Sequence, residues 1–218
     1  SASLLSGPQQ YFPSALALDG QNHLYVAFNN GAVWGYHTSG TPLYASPVAM
    51  LDTYPGGMAL GPNGHLYATS GYGRISEFTT SGVPVNDWNF PSLGYPGGIA
   101  VEGNALFALG QSGQVSKFTT GGVPVNFNLI SGFVDARGIA SDGMGRLFVT
   151  DSYLNRVGKN TTSGATINAT FITAGLNNPT AIVFVPEPTS VSLLLLGPVL
   201  FLARPRLRRP TRPHKPLR

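Results

Sequence analysis

Between Ala15 and Val185 the chain repeats one order of short apolar runs separated by clusters of Gly, Asn, Pro and Ser. The first run in each repeat is Ala15 to Asp19 (ALALD), Met58 to Gly61 (MALG), Ile99 to Glu102 (IAVE) and Ile139 to Asp142 (IASD). The second is Leu24 to Val26, Leu66 to Ala68, Leu106 to Ala108 and Leu147 to Val149. A third begins near Val33, Ile75, Val115 and Val157 and closes on Thr38-Ser39-Gly40, Thr80-Ser81-Gly82, Thr120-Gly121-Gly122 and Thr162-Ser163-Gly164. A fourth apolar run follows at Val48 to Leu51, Trp88 to Phe90, Phe127 to Ile130 and Phe171 to Thr173. Short alternating runs bounded by turn formers predict strands, and four in succession predict an antiparallel meander.

A four-stranded meander cannot bury both of its faces alone. Repetition at about 41 residues solves this by packing the sheets radially, the pattern of β-propeller blades. The expected fold is all-β, with four complete four-stranded blades whose strands we designate a to d outward from the axis. Ala17, Ala59, Ala100 and Ala140 fall in strand a, where converging blades leave least room. Residues 2 to 6 resemble a strand d, and Ala181 to Val185 a strand a, so these terminal pieces could pair as a partial fifth blade.

Composition sharpens this. With 28 Gly, 18 Pro and 10% charged residues, long helices are disfavoured and turns abundant. The absence of cysteine excludes disulfides, cysteine-zinc sites and thiol chemistry. Ser1 and the polar start SASLLSGPQQ predict a processed end or a fragment boundary rather than an intact leader. The net charge of +4 is unevenly placed. Residues 1 to 203 hold six Lys/Arg against all nine acids, whereas residues 204 to 218 hold seven basic residues and no acid. Because the basic run lies directly after an apolar segment, it reads as a cytoplasmic topology determinant, and no nucleic-acid partner is expected.

The domain division expected is therefore a propeller over residues 1–185 and a tail over 186–218. The segments Gly138 to Val157 and Gly56 to Phe78 resemble NHL-type propeller repeats, with Asp151, Asn155 and Arg156 matching that pattern best. The tail resembles a PEP-CTERM sorting signal: Pro186-Glu187-Pro188, the apolar Val191 to Ala203, then Arg204, Arg206, Arg208 and Arg209. That resemblance implies a bacterial protein exported to the cell envelope surface or an extracellular matrix. An exosortase-type enzyme would recognise the Pro-Glu-Pro element, and the apolar segment would hold the membrane at least transiently. Thr189 to Ala203 would span only about 22 Å as a helix, against roughly 30 Å of hydrocarbon, which suits a transient anchor.

Ligands of propellers usually meet the face formed by the d-to-a and b-to-c loops. On that face the strand assignment places Tyr54, Tyr72, Tyr95, Arg137, Asp151 and Tyr153, whose rings and polar groups suit a polysaccharide or protein ligand. The leading expectation is a non-catalytic binding propeller with no cofactor. The alternative is a metal-assisted lactonase- or lyase-like enzyme in which Asp52, Asp135 and Asp151 hold Ca²⁺. Asp19, Glu102 and Asp142, with His23 and His65, are placed at the opposite turns. No GxSxG, HExxH, P-loop or GxGxxG element is present.

Overall fold

The structure, a computed structural model, describes residues 11–52 and 54–184. Residues 2 to 6 and the whole sorting-signal segment, including Pro186, Glu187, Pro188 and the arginines, lie outside the described residues.

Each repeat forms one antiparallel sheet in simple sequence order. The first blade contains β1 (Pro13–Leu18), β2 (His23–Phe28), β3 (Ala32–His37) and β4 (Ala49–Met50). The second contains β5 (Gly57–Leu60), β6 (His65–Ser70), β7 (Arg74–Thr79) and β8 (Pro84–Asn89). The third contains β9 (Ile99–Glu102), β10 (Ala105–Leu109), β11 (Val115–Thr119) and β12 (Pro124–Ile130). The fourth contains β13 (Ala136–Ser141), β14 (Arg146–Asp151), β15 (Arg156–Thr161) and β16 (Thr166–Ile172). These are the four blades of a propeller, and among the described residues the only helix is a single 3₁₀ turn, Pro91–Leu93. No helix among the described residues is long and apolar enough to cross a membrane.

Strand alternation explains how the blades hold together. One face of the first blade, with Ala17, Tyr25 and Val33, packs on Met58, Leu66 and Phe78 of the second. Ala59, Tyr67 and Ile75 repeat this against Ile99, Leu106 and Phe118, as do Ala100, Phe107 and Val115 against Ile139, Leu147 and Val149. The inner aromatic position, Tyr25, Tyr67 and Phe107, is fully buried, and each such side chain contributes on the order of 1.5–3 kcal/mol. Strand β1 lies on β5, β5 on β9 and β9 on β13, while no comparable packing joins β13 to β1.

This leaves the first blade different from the rest. Met58, Ile99 and Ile139 are 7%, 5% and 6% exposed because a preceding blade covers them, whereas Leu16, at the same repeat position, is 59% exposed. At the other end, residues 181–184 lie along β13 where a next inner strand would run. A Cβ on Gly138 would meet Ala181 Cα at 2.9 Å, as one on Gly57 would meet Gly98 Cα at 2.7 Å. This stretch is not hydrogen bonded into a sheet, so the described residues contain four blades and no fifth.

The outer strands depart from the apolar pattern. They begin immediately after the Thr-Ser-Gly turns, at Pro84, Pro124 and Thr166, several residues before the apolar runs. The turn sets the start: Val83 N donates to Thr79 Oγ1 at 3.0 Å, and Val123 N to Thr119 Oγ1 at 3.1 Å. Being outermost, these strands need no apolar side chains to pair. In the first blade the outer strand is interrupted, leaving an isolated bridge between Tyr36 and Pro42 before β4.

Candidate functional site

Register fixes the two rims. In the β13–β14 hairpin, Ala136 opposes Asp151 at one end and Ser141 opposes Leu147 at the other, so Asp151 and Asp142 lie at opposite ends of the sheet. The rim carrying Asp151 also carries the turns that lead into the inner strands, with Tyr54, Tyr95 and Asp135 at equivalent repeat positions.

Three tyrosines gather on this rim. The rings of Tyr72 and Tyr95 lie 4.4 Å apart at 46°, a tilted contact. Tyr54, held by a left-handed backbone with φ of 62°, occupies the equivalent leading turn of the second blade. The adjacent Tyr72 side chain, with a smaller contribution from burial, raises the Tyr95 hydroxyl above its ordinary pKa. All three rings are exposed, Tyr72 to 71%. Tyr95 N donates to Gln111 Oε1 at 3.2 Å, which ties the leading turn of the third blade to its own b-to-c hairpin.

Beside them opens a cavity of about 640 Å³, large enough for a sugar unit or a short side chain, lined among others by Tyr95, Gln111, Asp135, Arg137, Asn178 and Thr180. Arg137 Nε bonds Asp135 Oδ1 at 2.7 Å, and both side chains are open to solvent. The cavity thus meets one tyrosine ring, Tyr95, and a charged pair. Asn178 and Thr180 escaped sequence reasoning, although Asn178-Pro179-Thr180 continues the leading-turn series Tyr54-Pro55-Gly56 and Tyr95-Pro96-Gly97.

Asp151 is placed differently. It is 0% exposed and accepts the N–H groups of Val134 at 3.1 Å, Asp135 at 3.3 Å and Leu154 at 3.2 Å, with Arg156 Nη2 at 3.4 Å. Burial acts to raise its pKa, but these N–H bonds and the Arg156 charge outweigh it, and the carboxyl lies below its ordinary value. Asp151 braces the loop that carries Asp135. Tyr153, 72% exposed on the fourth blade's hairpin, is not among the residues lining the cavity.

The carboxylates considered for Ca²⁺ are each occupied. Asp52 pairs with Arg74 at 2.5 Å, Asp135 with Arg137, and Asp151 with Arg156. Among the described residues no three His, Asp or Glu side chains are grouped as metal ligands would be. At the opposite rim, His23 Nδ1 lies 2.8 Å from Asp19 and His65 Nδ1 lies 2.8 Å from Glu77. Glu77 is buried, which would raise its pKa, yet bonds from Asn86, His65 and Tyr67 hold it below the ordinary value. Glu102 links the last two blades there by accepting Gly145 N at 2.7 Å and Ser141 Oγ at 2.5 Å.

No protein-family model matches the sequence, and no curated protein does. Solved structures do. The chain is similar to virginiamycin B lyase of Staphylococcus aureus, with a TM-score of 0.65 and 22% identity over 84% of this chain and 63% of the lyase. It is similar to a streptogramin B lyase, with a TM-score of 0.63 and 18% identity over 83% of this chain and 61% of that one. It also resembles a chain of a nidogen–laminin complex, with a TM-score of 0.62 and 16% identity over 78% of this chain and 67% of that one. The chain spans about six-tenths of the length of these lyases. At such identity the likeness establishes the propeller fold, and its neighbours include an enzyme and a protein–protein assembly alike.

Proposed function

We propose that this chain is an NHL-like binding propeller of the bacterial cell surface or extracellular matrix, taking a polysaccharide at the Tyr54–Tyr72–Tyr95 rim. The observation that carries the reading is the Tyr72–Tyr95 pair beside the Asp135–Arg137 ion pair at the mouth of the cavity. Sugars present apolar C–H faces and hydroxyl edges, and an exposed aromatic surface bordered by charged and amide groups answers both. A lactonase- or lyase-like reaction draws less support, since its candidate carboxylates are each engaged by an arginine.

Removing the Tyr95 ring by Tyr95→Ala should weaken binding of an acidic or neutral bacterial exopolysaccharide by roughly tenfold, near 1.4 kcal/mol. Tyr44→Ala, an exposed tyrosine outside this cavity, should leave binding unchanged. Titration calorimetry on both variants and the parent checks this. Equal affinities for parent and Tyr95→Ala, or a parent that binds only protein, would remove polysaccharide from this rim.

The export part of the proposal rests on the order of Pro186-Glu187-Pro188, apolar segment and arginines. Alanine at Pro186, Glu187 and Pro188 should leave export intact and trap an unprocessed, membrane-associated chain, because the apolar segment and its basic flank remain. Intact mass after membrane fractionation, in a host that has the sorting enzyme, reads the result. Processing as efficient as the parent's would rule out the sorting signal.

A further inference from the structure

The first blade departs from a turn that the other three share. Their third strands end on Thr79, Thr119 and Thr161, each of which accepts the N–H four residues on at its Oγ1 and so closes the turn. The residue in that place in the first blade is His37, which makes no such bond among the described residues. A local device abandoned in one repeat points to something gained there. His37 gains a partner, since it lies directly across from His23, where the other blades pair His65 with Thr79, Ala105 with Thr119 and Arg146 with Thr161. Thr38 N donates to Asn22 O at 3.0 Å, which makes His23 and His37 a non-hydrogen-bonded pair, the kind whose side chains come closest. Their ring centres are 5.4 Å apart, with the planes at 70°.

We infer that His23 and His37 bind one divalent transition-metal ion, of the zinc or copper class, through one ring nitrogen each. Imidazole suits these ions, and two imidazoles on a tetrahedral Zn²⁺ at about 2.0–2.1 Å have ring centres about 5 Å apart, so small side-chain rotations complete the pair. His23 is already oriented for this. Asp19 Oδ1 serves the turn, accepting Gln21 N and His23 N at 2.8 Å each, while Asp19 Oδ2 lies 2.8 Å from His23 Nδ1. A carboxylate on one ring nitrogen fixes the other as the ligand and raises its basicity. Asp142 holds the matching turn of the fourth blade in the same way, but its second oxygen meets Arg146 instead of an imidazole. Neither ring nitrogen of His37 has a hydrogen-bond partner among the described residues, and residues 11–52 contain no Lys or Arg to repel a cation. His37 is exposed and the His23 side chain is 22% exposed, so the ion arrives from solvent and keeps water in its remaining positions.

The test is simple because the chain has no cysteine and only two further histidines, His65 and His214. Zinc chloride titrated calorimetrically into the full chain, without an affinity tag and in mild detergent, should bind one to one. His37→Thr should weaken that binding by at least about tenfold, the scale on which even a ligand's orienting partner counts. This substitution installs the residue that the other blades carry, so the fold is expected to survive it. His65→Asn combined with His214→Asn should leave binding unchanged. Thermal unfolding gives a second readout: Zn²⁺ should raise the Tm of the parent and of the double variant, and not that of His37→Thr. Zinc binding by His37→Thr as tight as the parent's, or binding that disappears with His65 and His214, would overturn the proposal.

Discussion

Asp151→Ala should destabilise the propeller by about 3–5 kcal/mol, a large part of the roughly 5–15 kcal/mol that holds a domain of this size together. Three loop N–H groups lose their acceptor at once, and the Arg156 guanidinium is left with Gly132 O alone, around a carboxylate that is itself fully buried. Asp135→Ala, which removes a solvent-open partner of Arg137, should cost no more than about 1 kcal/mol. The difference also has a pH signature. The folded-state pKa of Asp151 is depressed, so its contribution is present above the unfolded value near 3.9 and is lost as pH falls through the folded one. The gap between parent and Asp151→Ala in urea unfolding should therefore be full at pH 7 and shrink below about pH 4. A variant as stable as Asp135→Ala at pH 7 would show that the loop does not depend on this carboxylate.

The inner part of each blade was legible because its side chains must satisfy two neighbours. The alternation of Ala17, Tyr25 and Val33 against Leu16 and Leu24 can be read directly from the sequence; the first set packs on the second blade, while Leu16 stays exposed with no blade before it. The outer strands were less legible. Their pairing is carried by backbone bonds and set by a threonine-closed turn, so their apolar runs marked only the later part of β8, β12 and β16. The rim divides in the same way. Counting residues between strands puts Tyr72, Tyr95 and Arg137 on one rim, where Tyr72 lies against Tyr95 and Arg137 lines the same cavity as Tyr95. The partners of Asp151 are backbone N–H groups of residues 134, 135 and 154, which have no signature in side-chain type. A carboxylate that braces a loop and one that meets a ligand therefore look alike in sequence, and burial separates them.

Substituting the glycines that open the inner strands should give a graded loss of stability set by how closely the next blade approaches. None of Gly57, Gly98 and Gly138 has a left-handed backbone, so their cost on mutation is steric rather than conformational. A Cβ on Gly57 would lie 2.7 Å from Gly98 Cα and 2.8 Å from Ile99 N, both backbone atoms that cannot turn aside. On Gly138 the nearest atoms are Ala181 Cα at 2.9 Å and Ile182 N at 3.0 Å, and on Gly98 they are Arg137 O at 3.1 Å and Ile139 N at 3.2 Å. Parting two inner strands by several tenths of an ångström disturbs every interblade contact beyond them, since a packed core does not deform locally. Gly57→Ala should thus cost about 3 kcal/mol, Gly138→Ala about 2 and Gly98→Ala about 1. Gly20→Ala supplies the reference: nothing lies within 4 Å of its Cβ position, so reduced freedom of the unfolded chain should leave it neutral or stabilised by about 0.5 kcal/mol. The Gly138 variant is the most informative of the four. Its neighbour is the 181–184 stretch rather than a complete blade, so if that stretch peels away freely the cost falls to the Gly20 level. A loss between those of Gly57→Ala and Gly98→Ala would show residues 181–184 holding the fourth blade as firmly as one blade holds the next.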